Sequence, residues 1–236
     1  MAKKLIFILT LLLTGYSAHS QILISIIFGD KLNSEGLEFG LDGGVNFSQI
    51  TGMESKNFAN NFHLGFYFDV KLKNQFWLNT GVLVKSSQGA AELTKNDVLG
   101  LYPEIKTYID SGSYSQSFGY FNVPLMLKYR LKNHFFIEGG TQMAIMINAR
   151  LNYEYSFDGV EVTSSADNMG SFNRFDMGLI GGIGYKLRKG TGMNIGLKYY
   201  EGLLDITKSE NLNNKNRVIY LKIDIPIGKE KSASGK

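Results

Sequence analysis

The stretch Phe118–Arg150, FGYFNVPLMLKYRLKNHFFIEGGTQMAIMINAR, narrows the possible folds more than any other part of the chain. After Gly119 one parity is apolar (Phe121, Val123, Leu125, Leu127, Tyr129), and the other is mostly polar (Tyr120, Asn122, Lys128, Arg130, with Met126 among them). A tight turn at Lys132-Asn133 follows, and alternation resumes with Phe135, Ile137, Met143, Ile145 and Ile147 on one face. His134, Glu138, Gln142, Asn148 and Arg150 take the other, interrupted by Phe136 and Met146. A period of two held this long predicts two strands rather than a helix. Each arm exceeds the usual 5–6 residues of a soluble strand and suits a tilted bilayer crossing of about 9–11 residues. The hairpin leaves open which face is outward. A soluble ligand barrel is apolar inside, whereas a membrane barrel is apolar outside.

The start of the chain bears on the compartment. Lys3 and Lys4 precede the apolar run Leu5–Leu13, and Ala18-His19-Ser20 places small residues before Gln21. This pattern predicts a secretory signal peptide over residues 1–20. No later segment offers 18 consecutive apolar residues, so no transmembrane helix is expected. An exported chain of long alternating strands is then either a soluble β protein or an outer-membrane barrel. The absence of cysteine excludes disulfides, thiolate catalysis and a lipidated N-terminal cysteine. Lysine and arginine total 25 against 21 acids, and the signal peptide removes two lysines. That balance points away from nucleic acid.

The same alternation recurs along the chain and predicts an all-β, eight-stranded antiparallel up-and-down transmembrane barrel. Strands are expected at Glu38–Gln49, Phe62–Leu72, Gln75–Ser87, the two arms of the hairpin, Arg174–Leu187, Gly192–Leu204 and Asn216–Ile227. Their connections alternate in length. Turns at Lys73-Asn74, Lys132-Asn133 and Arg188–Thr191 are short, whereas Ile50–Asn61, Gln88–Ser117, Leu151–Asn173 and Asp205–Lys215 are long. Short periplasmic turns and long extracellular loops are the asymmetry of a membrane barrel. The Leu/Phe/Ile parity carries charge only at Glu201 and Arg217, near strand ends, so it is assigned to the lipid. The expected organisation is signal peptide 1–20, periplasmic segment 21–36, barrel 37–228 and basic tail 229–236. Phe76, Phe135 and Tyr185, near the short turns, are candidates for the periplasmic aromatic girdle.

The inward parity gathers charge: Glu38, Asp42, Asp69, Glu138, Asp176 and Asp224 against Lys71, Lys85, Lys128, Arg130, Arg150, Arg174, Lys186, Lys198 and Lys222. An eight-stranded barrel is just wide enough for its side chains to fill. The expectation is therefore a structural, salt-bridged plug, with an ion path as the alternative. Inward glycines such as Gly40, Gly44, Gly65, Gly140, Gly182 and Gly184 would make room for Tyr67, Trp77, Tyr120 and Tyr200. A barrel enzyme needs a base beside a nucleophile. His63 and His134 are expected at opposite ends, leaving only a rim pair of His63 with Ser48 or Glu54. No catalytic residues, cofactor or metal ligands are assigned.

Several segments resemble the PorT-type outer-membrane β-barrel proteins of Bacteroidetes. They are GLDGGVNFS at Gly40–Ser48, YFNVPLMLKY at Tyr120–Tyr129, IEGG at Ile137–Gly140 and GLIGGIGY at Gly178–Tyr185. The resemblance spans Glu38–Ile227 and implies the barrel and the outer membrane. It does not carry over the export role for which that family is named. The chain departs from many outer-membrane barrels at its end, where Ile225-Pro226-Ile227-Gly228 and a basic tail stand in place of a terminal aromatic residue. Expected partners are outer-membrane lipid, the barrel assembly machinery during insertion, and an envelope protein met through loops 88–117 and 151–173, where binding is usually placed. The alternatives are an accessory of protein export or envelope assembly, a rim-active lipid-modifying enzyme or protease, and, least favoured, a soluble lipocalin-like carrier.

Overall fold

The computed structural model describes residues 36–101, 112–157, 160–187, 192–209 and 212–227. The expected signal peptide, nearly all of segment 21–36, the turn 188–191 and the tail 229–236 lie outside the described residues. The strands are β1 (Leu37–Thr51), β2 (Ala59–Lys73), β3 (Phe76–Ala90), β4 (Ser113–Arg130), β5 (Phe135–Phe157), β6 (Val160–Asp167), β7 (Phe175–Lys186), β8 (Asn194–Gly202) and β9 (Lys215–Pro226), with a helix α1 (Lys95–Leu101) between β3 and β4. All strand pairings are antiparallel, and they join sequence neighbours except that β7 pairs with β5 past β6 and β9 pairs with β1. The ring closes where β1 meets β9, from Gly40↔Pro226 to Thr51↔Lys215. Eight strands therefore make the barrel, and β6 lies outside the ring.

The period-two pattern decides which face is which. Val45, Leu64, Leu125, Ile137, Ile183, Leu197 and Ile223 all stand about half exposed on the outer wall. Their neighbours on the other parity, such as Asp69, Lys128 and Asp224, are buried inside. Near the short turns, Phe76 meets Tyr129 at 5.0 Å and Phe135 meets Tyr185 at 4.9 Å between ring centroids, a place suited to interfacial aromatics. In the two-residue turn after β2, Asn74 adopts φ 53°, a left-handed conformation that asparagine tolerates well. Inside, large rings lie over glycines of neighbouring strands. A Cβ at Gly184 would come within 2.2 Å of the Phe136 ring, and one at Gly178 within 2.7 Å of the Tyr200 ring.

Two bulges correct the sequence assignment of faces. Between the pairs Leu64↔Lys85 and Gly65↔Leu83, β3 carries an extra residue, so Val84 and Lys85 both face outward while Leu83 turns in. Between Gly119↔Asn148 and Tyr120↔Met146, β5 does the same, and Asn148 and Arg150 turn outward. Two expected loops are also corrected. Leu151–Asn173 is largely strand: β5 runs on to Phe157 and folds back as β6, followed by a single 3-10 turn at Met169–Ser171. Gln88–Ser117 is shorter than expected, because β3 and β4 extend into it and α1 sits between them.

Helix α1 is built by a reciprocal cap. The Asp97 amide donates to Thr94 Oγ1 (3.2 Å), and the Thr94 amide donates to Asp97 Oδ2 (3.1 Å), an acidic version of the capping box. The same carboxylate accepts the amides of Glu54 (2.8 Å) and Ser55 (3.0 Å), tying the β1–β2 loop to the helix. Beneath, Ile50, Met53, Leu93, Val98, Leu101, Phe118, Tyr120, Met146, Phe172 and Ile206 form one buried apolar cluster. The long-loop end of the barrel is thus closed by an apolar cap.

Candidate functional site

The polar interior is the most constrained cluster in the molecule. Lysine and carboxylate alternate there because β4, β5 and β9 present Lys128, Glu138 and Lys222 on the same inward parity. Lys128 and Glu138 are direct register partners. The Lys128 ammonium, fully buried, donates to both oxygens of Asp69 at 3.0 and 2.8 Å and lies 3.3 Å from Glu138 Oε2. Lys222 Nζ is 3.3 Å from Glu138 Oε1 and 2.9 Å from Asp224 Oδ2. Glu138 is therefore held between two ammonium groups at ion-pair distance. Phe136 adds its ring face, 4.7 Å from Lys128 Nζ and 5.8 Å from Lys222 Nζ.

Toward the short turns the network widens into a partly buried mouth. Arg130 reaches Asp69 at 2.6 Å and Glu38 at 3.3 Å, and its guanidinium stacks 3.9 Å from the Trp77 ring centre. Lys186 holds Glu38 at 2.7 Å, and Tyr67 donates to the same carboxylate at 3.0 Å. Above the network Asp42 lies between Lys198 (3.4 Å) and His63 Nε2 (3.3 Å). His63 is buried edge-on against Tyr220, and the Tyr220 hydroxyl accepts from the amides of Gln88 (3.1 Å), Asn122 (3.4 Å) and Gln142 (3.5 Å). Higher still, Asp176 accepts from Asn216 at 2.8 Å, and among the described residues it has no cationic partner. Its environment is hydroxyl and amide, not charge.

Of the charges expected inside, the structure brings together Asp42, Asp69, Lys128, Glu138, Lys198, Lys222 and Asp224, with Glu38, Arg130 and Lys186 at the mouth. Lys71 is exposed at that mouth, 6.0 Å from the Trp77 ring centre. Lys85, Arg150 and Arg174 do not join. The first two are turned out by the bulges, and the Lys85 ammonium instead sits 4.6 Å from the outer Phe62 ring. Arg174 precedes β7 and points its Nε to the Met146 carbonyl at 3.4 Å. His63 was expected at the rim with Ser48 or Glu54 and is found deep inside with Asp42. Ser48 Oγ accepts from the Gly89 amide and the Glu54 carboxylate binds Thr94 and Asn96. For His63 the cue in the sequence was its inward parity, shared with Tyr67 and Asp69, and in the structure it stands opposite Gly44, whose missing side chain leaves the ring room to point inward.

On the outer wall, Arg217 donates to both Glu201 oxygens at 2.8 and 2.9 Å, and Tyr199 donates to the same carboxylate. This pair accounts for the two charges that parity counting places on the lipid-facing side: they neutralise one another across β8 and β9 near the long-loop end.

The chain is similar in structure to Ail, the attachment invasion locus protein of Yersinia pestis (12% identity, 82% of this chain and 99% of that one, TM-score 0.43). It is likewise similar to neisserial surface protein A (9% identity, 81% and 99%, TM-score 0.41) and to OprG of Pseudomonas aeruginosa (14% identity, 84% and 99%, TM-score 0.37). At that distance the likeness does not extend to what those proteins do. No curated protein sequence matches the chain. The family model described as the outer membrane protein beta-barrel domain matches residues 28–208, and the chain belongs to that family: it is an outer-membrane β-barrel protein.

Proposed function

We propose that this protein is a non-conducting outer-membrane barrel whose activity lies in its extracellular loops, where it binds another envelope or surface component. The observation that carries this reading is the double closure of the lumen: a buried ion-pair network below and an apolar cap above. A side-chain-filled eight-stranded interior leaves the loop face as the surface on which specificity can be built. In this reading residues 1–20 are a cleaved signal peptide, 21–36 a periplasmic segment and 229–236 a basic tail. The barrel assembly machinery inserts the chain, which is not an enzyme. The motifs at Gly40–Ser48, Tyr120–Tyr129 and Gly178–Tyr185 favour a PorT-type relationship. That relationship keeps a second role open, as an accessory of export or envelope assembly acting through segment 21–36.

The test is crosslinking in intact cells. Partners captured by the wild-type chain and lost when 152–166 is replaced by a two-residue turn support loop-mediated binding. Loss on deletion of 21–36, with the loop variant unaffected, replaces it by the accessory role.

A further inference from the structure

The β5–β6 hairpin rises beyond the membrane. β5 has 23 residues, which at about 3.4 Å each exceeds twice the roughly 9–11 residues needed to cross. Its outer parity marks the boundary. Ile137, Met143, Ile145 and Ile147 are exposed and apolar, whereas Asn152, Glu154 and Ser156 continue the same wall after the bulge. β4 changes likewise, from Ser113, Ser115 and Ser117 to Phe121, Val123 and Leu125. The strands therefore leave the lipid near Gly119 and Asn148 and continue into water.

Outside, β4 and β5 remain paired up to Ser113↔Glu154, and β6 adds to β5 without a register shift from Arg150↔Asp167 to Phe157↔Val160. Tyr114, Tyr153 and Tyr155 stack along this flap at 4.6 and 5.2 Å between centroids, and Ser165 donates to Asn152 at 2.7 Å. The flap is braced, yet β6 forms no pairing with any strand other than β5 among the described residues. Its sequence, VEVTSSAD, has no lysine, proline or bulge at the free edge, and the charges it does carry, Glu161 and Asp167, are both acidic, so they repel another acidic strand and leave the edge open to a basic one. Glu154, Glu161 and Asp167 are exposed on the flap, while Arg150 stands at its base opposite Asp167.

We infer that the open edge of β6 is a β-augmentation site that takes an extended, lysine- or arginine-bearing segment of another polypeptide outside the cell. Main-chain hydrogen bonds to the edge supply the affinity, and the acidic flap selects basic segments. A second copy of this chain fits less well, because pairing two β6 edges brings two acidic strands together with no cation on either. The inference rests on the loop-binding reading above and specifies how the loops bind.

The test uses the full mature chain in lipid nanodiscs and two octapeptide probes, one alternating lysine with valine and one alternating glutamate with valine. The lysine probe should bind at least about tenfold more tightly, and added salt should narrow the difference. In an antiparallel ladder, neighbouring residues send their N–H groups to opposite sides. Of Thr163→Pro and Ser164→Pro, one therefore removes an edge donor without touching the β5 pairing. That variant, identified by amide exchange protection retained along β5, should lose the lysine probe. Glu161→Lys should shift preference toward the glutamate probe. Equal binding of the two probes, or binding untouched by both prolines, overturns the inference, as does dimerisation that the same proline abolishes, since a second copy is then the occupant. If the probes fail while replacing 152–166 still removes the partner crosslinks in cells, edge pairing is wrong and loop binding stands.

Discussion

Lys128→Met removes a cation that the structure places at the centre of the barrel. The methionine fills nearly the same volume, so the loss is mainly electrostatic. The Lys128 side chain is fully buried, 2.8 Å from Asp69 and 3.3 Å from Glu138. Deleting one partner of a buried pair typically costs about 3–5 kcal/mol, because the remaining charge stays desolvated. Here both carboxylates keep a second cation: Arg130 at 2.6 Å for Asp69 and Lys222 at 3.3 Å for Glu138. The expected loss is therefore at the lower end, about 3 kcal/mol, or a roughly hundredfold shift in the unfolding equilibrium. Trp77, the one tryptophan of the chain, pairs in register with Lys128 and stacks on Arg130, so its fluorescence reports this region directly. Urea unfolding in lipid vesicles followed at Trp77 measures the loss. Adding Glu138→Gln to Lys128→Met should recover at least part of it by removing the excess negative charge. A single substitution costing less than about 0.5 kcal/mol, or a double variant less stable than the single by the full cost again, would refute the argument that buried charge balance holds the interior together.

On the outer wall, Ile223→Arg puts a cation on the apolar lipid-facing surface and should cost roughly 2–4 kcal/mol of insertion stability, measured by refolding into vesicles, whereas Lys85→Gln should change it by less than about 1 kcal/mol, because Lys85 lies two residues from Ser87, the register partner of Gly119, close to where the wall leaves the lipid and charge costs little. Asp97→Ala removes a cap and the anchor for the Glu54 and Ser55 amides together. It should cost about 1–2 kcal/mol locally and make the α1 loop susceptible to external protease in intact cells, a change absent if the loop is held by its apolar contacts instead. In planar bilayers the protein should give no steady unitary current, and deleting 92–101 should not open one, since the ion-pair layer remains as a second seal; a current that changes size in Lys128→Met would revive the ion path.

The sequence by itself determined the barrel. Strict alternation in long strands, with glycine on the inward parity and no charge through the middle of the outward one, admits few other folds, because lipid forbids both unpaired backbone and exposed charge. It also determined the charge ladder, since Asp69, Lys128, Glu138, Lys222 and Asp224 share the inward face by parity alone. Which of them pair was decided by the tertiary structure. Shear between strands sets which inward side chains meet across the lumen, and that offset is a property of the closed ring. The same holds for Lys85 and Arg150, whose faces were reversed by single-residue bulges that parity counting has no means to register. Position along the strand puts His63 near the rim, and the closed ring brings it to Asp42. The hairpin β5–β6 was hidden because its Ser, Asn and Glu residues carry the composition of a loop. They form strands there because the rigid edge of β5, already ordered by the barrel, templates them, an advantage no local propensity encodes.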